Sequence, residues 1–284
     1  MRFARHRSAF ALVELLVIVA FVVLLASLHF STRGRATAKA RLVECLSNVR
    51  QLQHAALLYA DDHDEVLPPN APAGAPPNAV WVPSTYMNWN NSAANTNVAA
   101  LVSPLFSQYA GRNFRLYKCP ADTERALNGD RLRSFAMNSQ MGHIGGTVPG
   151  PFPTPYTPPN YNPGWRVFKR TSDFFTADPA KLFVFIEEHP DAINDGYFQV
   201  NMSAPTFPDV PGSNHDGAGT LSFADGHVEA HAWETRPPVK KSPSPTCPPP
   251  PTTGGGSPPA PRCRRFFEVE LVALRPVWPA QEPR

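Results

Sequence analysis

The chain has no G-x-S-x-G elbow, no H-E-x-x-H and no phosphate-binding glycine loop. The common sequence signatures of acyl hydrolysis, zinc proteolysis and nucleotide binding are therefore missing, and no enzymatic activity is expected. Charge is scarce too, at 17% of residues. There are four cysteines, which leave three pairings open. Residues 31–61 contain no proline, although the chain as a whole has 34. Residues 11–30 lack both proline and glycine and hold one charge, Glu14.

What fills that last stretch is apolar. About 20 such residues at 1.5 Å rise each match the roughly 30 Å hydrocarbon core of a bilayer, so the pattern predicts a membrane span over residues 10–30. Arg2, Arg5 and Arg7 precede it, but Arg33, Arg35, Lys39 and Arg41 follow it, so the positive-inside rule barely discriminates orientation. Beyond it, Leu42, Cys45, Leu46, Val49, Leu52, Ala56 and Tyr59 recur at spacings of three and four. That periodicity predicts an amphipathic continuation of the helix over residues 31–62, with Gly34 as its weak point. A carboxylate inside a span is costly and calls for a partner, so Glu14 is expected to serve assembly.

The formal charge of +3 misleads about partners. Residues 61–235 hold 10 Lys and Arg against 18 Asp and Glu, a net of −8. An acidic domain repels phosphate backbones, so no nucleic-acid partner is expected.

Past the helix, residues 71–97 read as a long loop that Trp81, Tyr86 and Trp89 pin to the domain. Residues 101–110 suit a short helix, and F-R-L-Y-K-C-P-A-D, residues 114–122, a short strand stopped by Pro120. Residues 147–163 are dense in proline and read as an irregular loop. K-L-F-V-F-I-E, residues 181–187, has the aromatic and β-branched content of a buried strand, and residues 197–200 suit another. In T-L-S-F-A-D-G-H-V-E-A-H-A-W, residues 220–233, Asp225 and Gly226 predict a two-residue hairpin turn. Phe223 would then face Val228 and Leu221 face Ala230 on the core side, leaving Thr220, Ser222, Glu229 and His231 wet. Residues 237–261 are proline, serine, threonine and glycine with almost no apolar side chains, and the tail 237–284 is expected to be largely disordered.

The segment A-F-A-L-V-E-L-L, residues 9–16, resembles the class III signal of type IV pilins and type II secretion pseudopilins. In the same chain His215, nine further residues and then Asp225-Gly226 resemble the H-x9-D-G signature of pilin-like families. Y-K-C-P-A-D, S-F-A-M-N and E-E-H-P-D-A-I-N-D-G match alongside, so the resemblance covers most of residues 8–233. It implies cleavage by a prepilin peptidase between Ala9 and Phe10, with methylation of the new amine, and places Glu14 fifth in the mature chain. Alanine stands before the cut where the family usually has glycine. It further implies an α+β, loop-rich pilin-like fold: a long N-terminal transmembrane-plus-stalk α-helix packed on a small antiparallel β-sheet head. The parts would be a leader 1–9, a transmembrane helix 10–30, its amphipathic continuation 31–62, a β-rich head 63–236 and the tail. The implied function is a structural subunit of a pilus or pseudopilus in the type II secretion manner. Its partners would be the peptidase, like subunits and the inner membrane, crossed once, with the head in the periplasm or exported in a filament. The alternatives are a binding head on an uncleaved anchor and a displayed enzyme.

Candidate sites are few. Adjacent Glu187 and Glu188 on a strand point to opposite faces and do not make an acid and base pair. His227, Glu229 and His231 share a hairpin face and suit zinc, the alternative being that they are the polar residues any solvent face of a hairpin carries. No cofactor is expected beyond calcium, which pseudopilins use and for which Asp191, Asn194, Asp195 and Asp216 are the ligand candidates; D-A-I-N-D-G fails as an EF-hand, having Ile193 at its third position. Cys45, on the apolar stripe, and Cys119, at a predicted strand end, are placed to form a disulfide in an oxidising compartment, the alternative being that Cys45 is a small buried hydrophobe.

Overall fold

Fifty residues without proline, Leu12–Asp61, form helix α1. The computed structural model describes residues 12–72, 75, 80–83, 85–142, 162, 165–199 and 208–233, and the chain divides into two units, Met1–Arg41 and Leu42–Arg284. Within the first unit, the described side chains before residue 25 run only from Leu12 to Leu24, roughly 20 Å of helix. No helix among the described residues is long and apolar enough to cross a membrane. The expected transmembrane helix over residues 10–30, and the single-pass inner-membrane placement that rested on it, are thereby overturned. The leader, the 147–163 loop apart from Asn162, and the tail lie outside the described residues.

In the second unit the three-and-four spacing of the helix becomes a buried stripe: Cys45, Val49, Leu52, Ala56 and Tyr59, with Ala55 and Ala60 beside it. The helix stops after Asp61, where the Glu65 N–H donates to the Ala60 carbonyl at 2.9 Å. Asp64 and Glu65 take left-handed backbone there. His63 holds the end, its ring stacked on Tyr59 at 4.0 Å.

The next elements are short. Single-turn helices α2 (Val98–Leu101) and α3 (Phe106–Tyr109) replace the one helix expected over residues 101–110, since Pro104 lacks the N–H that would join them. Residues Phe114–Tyr117 form a 3₁₀ turn, not a strand. There the Asn113 side chain accepts from the Arg115 N–H and captures the chain into a turn. Strands β1 (Arg125–Ala126) and β2 (Gly129–Asp130) make a separate small ribbon.

The main sheet contains β3 (Phe135–Asn138), β4 (Phe183–Glu187), β5 (Tyr197–Phe198), β6 (Ala218–Phe223) and β7 (Val228–Ala232), in the order β5-β3-β4-β6-β7. It is a mixed sheet, because β5 pairs parallel to β3 while the other neighbours are antiparallel. This corrects the expectation of an antiparallel head. To reach the far side of β3, the chain after β4 passes tightly under Trp81, whose Nε1 donates to the Gly196 carbonyl at 3.0 Å. A Cβ at Gly196 would meet Val82 Cγ2 at 2.2 Å, so only glycine fits. Trp81 also packs edge-on against Phe106 and Phe185 and stacks on Tyr117, at the middle of the core.

The final hairpin forms one register away from the expected one. Ser222 pairs with Val228 and Leu221 with Glu229. The turn widens to residues 224–227 because the Ala224 N–H donates to Leu182 O at 2.9 Å, ahead of β4, instead of closing the hairpin. Asp225 Oδ1 accepts from the His227 N–H, and Gly226 sits at φ +91°. Thr220 and Ser222, expected to be wet, are both fully buried. Their face takes α1: Ser222 Oγ donates to Gln53 Oε1 at 3.0 Å.

Leu52 is fully buried on the stripe and Leu58 is half exposed on the same helix. Leu52→Ala should cost about 3 kcal/mol in urea unfolding, and Leu58→Ala under about 0.5 kcal/mol. Equal costs would show that the stripe does not carry the packing.

Candidate functional site

Four elements converge where α1 crosses the sheet. Cys45 comes from the stripe of α1, Cys119 from the bend after the 3₁₀ turn, Glu187 from the last position of β4 and His215 from the turn before β6. Their ligand atoms all lie within 4.8 Å of one another, and this is the group among the described residues close enough to share a metal ion. Cys119 Sγ is 3.2 Å from His215 Nε2, which is 3.6 Å from Glu187 Oε2. Cys45 Sγ is 4.0 Å from the same carboxylate oxygen. The Cys45, Cys119 and Glu187 side chains are buried, and only 3% of the His215 side chain is exposed.

Neighbouring polar groups orient the carboxylate. Asn214 Nδ2 donates to Glu187 Oε1 at 2.9 Å. Thr220 contributes its backbone N–H and its hydroxyl to Oε2 at 3.2 and 3.3 Å. Thr220 Oγ1 also lies 3.2 Å from Cys45 Sγ, and the Ala121 N–H donates to Cys119 Sγ at 3.4 Å. The register of β4 on β6, with Ile186 opposite Leu221, is what brings Glu187 to Thr220.

The electrostatics are uneven. Burial raises the Cys45 thiol, and contact with Cys119 and Glu187 raises it further. Burial also works against ionising Cys119, but hydrogen bonds with Cys45 and His215, together with the His215 charge, overcome it and bring the thiol down to about 5. Glu187 is pushed well above the usual carboxylate range, first by burial and then by the neighbouring Cys119. One acidified thiol, a second thiol, an imidazole and a carboxylate thus share one dry pocket.

The expected disulfide is not formed: Cys45 and Cys119 are both free. Cys45 Sγ also lies against Thr220 Oγ1 and Cys119 Sγ against His215 Nε2. The acidic turn does not assemble into a cation site either. Asp195 Oδ1 accepts from the Tyr197 N–H, Asp191 lies 3.9 Å from His189, the Asn194 carbonyl accepts from Met87, and Asp216 is exposed in left-handed backbone. Among the described residues no group of three or more His, Cys, Asp or Glu side chains that could share an ion includes them. His227 pairs with Asp225 at 2.6 Å and His231 with Glu229 at 3.2 Å, as two separate surface pairs. Of the signature residues, His215 enters the cluster while Asp225 and Gly226 shape the hairpin loop. Glu14 lies in the first turn of α1. Ala9 and Phe10 are outside the described residues.

Glu188 turns the other way. Both its carboxylate oxygens are buried without a hydrogen-bond partner among the described residues, near Arg131 and Arg133, themselves only 2% exposed. Burial holds Glu188 well above the usual range, reinforced by Asp209 and Asp195. Comparison of the chain with family models, curated proteins and solved structures finds no match.

Asp209, which accepts from the Gln199 N–H at 2.6 Å, is pushed by burial from 3.8 to about 8. A folded acid with a raised pKa keeps a proton that the unfolded chain has lost. Its stabilisation is complete below pH 3.8 and is lost as pH rises to about 8. Asp209→Asn should therefore flatten the fall in melting temperature between pH 5 and pH 8, and parallel pH profiles for the two proteins would refute this.

Proposed function

We propose that this chain is a structural, pilin-like subunit that buries its N-terminal helix among the same helices of neighbouring copies and displays the second unit. The observation that carries the reading is the surface of α1 from Leu12 to Leu24. Leu12, Val13, Leu15, Leu16, Val17, Ile18, Val19, Phe21, Val22, Val23 and Leu24 are all 49–75% exposed, around the whole circumference. A helix that is apolar all round is stable only when something covers it. Copies of itself supply a cover of matching length, and Glu14, the one charge in this stretch, favours a cation opposite it. The amine freed by cleavage before Phe10, as the class III signal implies, would be that cation in the neighbouring subunit. The absent hydrolase and nucleotide motifs support a structural reading over a catalytic one.

A photo-crosslinking residue in place of Val19 in the full chain tests this. Chain-to-chain adducts are expected, falling several-fold in Glu14→Ala while the mature mass stays unchanged. Adducts to lipid alone, or identical yields with and without Glu14, would overturn the proposal.

A further inference from the structure

We propose that Cys45, Cys119, Glu187 and His215 form a closed, four-ligand site for a thiophilic divalent cation of the zinc type, which ties α1 to the sheet. The geometry suits such an ion. With Zn–S near 2.3 Å and Zn–N and Zn–O near 2.0–2.2 Å, a tetrahedral centre has ligand-to-ligand edges of about 3.3–3.8 Å. The edges here are 3.2 Å for Cys119 to His215, 3.6 Å for His215 to Glu187 and 4.0 Å for Cys45 to Glu187. All four atoms fall within 4.8 Å of one another, so small rotations of four side chains bring them onto one ion.

The donor set selects the metal. Two sulfurs, one imidazole nitrogen and one carboxylate oxygen suit a borderline-soft ion with tetrahedral preference, whereas calcium and magnesium require six or more oxygens. The supporting shell is already present. Asn214 occupies Glu187 Oε1 and leaves Oε2 facing the cluster, Thr220 contacts both Oε2 and Cys45 Sγ, and the Ala121 N–H reaches Cys119 Sγ. Such outer partners are what orient ligands in metal centres. Four buried protein donors leave no open coordination position, which makes the site structural and not catalytic.

The placement also accounts for residues that the fold alone leaves unexplained. A buried glutamate beside two thiols is costly without a cation, and among the described residues its ion-pair partner is His215. The H-x9-D-G spacing acquires a physical meaning: the nine residues span β6 with its flanking turn residues, so that His215 in the cluster and Asp225-Gly226 in the hairpin loop stand at opposite ends of one strand.

Cobalt is the probe. Full-length protein, isolated under reducing conditions and stripped with chelator, should take up one equivalent of Co²⁺. Binding should develop thiolate-to-cobalt charge-transfer absorption and the intense visible bands of a tetrahedral ion, both displaced by Zn²⁺. Thr220→Val, which keeps all four ligands, should weaken Co²⁺ binding 10–100-fold. Cys119→Ser should abolish the charge-transfer band contributed by that sulfur, with circular dichroism confirming that the variant is folded. If folded wild-type protein shows no tetrahedral cobalt spectrum at saturating Co²⁺, the site is refuted. Trapping with an alkylating agent at the moment of lysis decides against it equally, should peptide mapping recover Cys45 and Cys119 joined to each other.

Discussion

The seam between α1 and the sheet is the contact on which the second unit depends. One face of α1 presents Cys45, Val49, Leu52, Ala56 and Tyr59, and the facing side of β6 presents Thr220 and Ser222. Polar side chains at such a seam are tolerated only when paired. Here Ser222 binds Gln53, its hydroxyl oxygen also accepting from the Phe185 N–H at 3.1 Å, and Thr220 meets Cys45 and Glu187. The same contact that closes the core thereby also assembles the cysteine, histidine and glutamate cluster.

That coupling explains the division of labour between two adjacent carboxylates. Glu187 and Glu188 leave the end of β4 on opposite sides, as strand geometry requires. One enters the seam with the thiols, and the other enters a buried region with Arg131 and Arg133. Both carry raised proton affinities because both are dry, yet their surroundings differ in kind: soft donors and an imidazole on one side, guanidinium groups and further carboxylates on the other. Arg131 lies over the Trp89 ring at 4.2 Å, which anchors the long loop preceding α2 to the same region.

The first unit poses the opposite problem. From Leu12 to Leu24 its helix exposes apolar side chains with Glu14 among them, and hydropathy alone points to lipid; no helix among the described residues is long and apolar enough to cross a membrane. The proposed cover of identical helices would bury that surface with a carboxylate in place, since charge can be matched between subunits but not by hydrocarbon.

Local patterns were legible from residues alone. The three-and-four spacing after Leu42 specified which side of α1 is buried, and the apolar run ending at Glu187 specified β4, because helix and strand periodicities are local consequences of backbone geometry. The pair Asp225-Gly226 located a hairpin but not its register, since Ala224 bonds outside the hairpin to Leu182. Hydropathy likewise counted apolar residues without regard to where the helix goes, and the membrane span it suggested did not stand. The parallel pairing of β5, the burial of Thr220 and Ser222 and the meeting of Cys45, Cys119, Glu187 and His215 were decided by tertiary structure only. Cys45 and Thr220, which touch beside that cluster, are 175 positions apart, and nothing in a local window records that β4 and β6 become neighbours or that α1 lies across them.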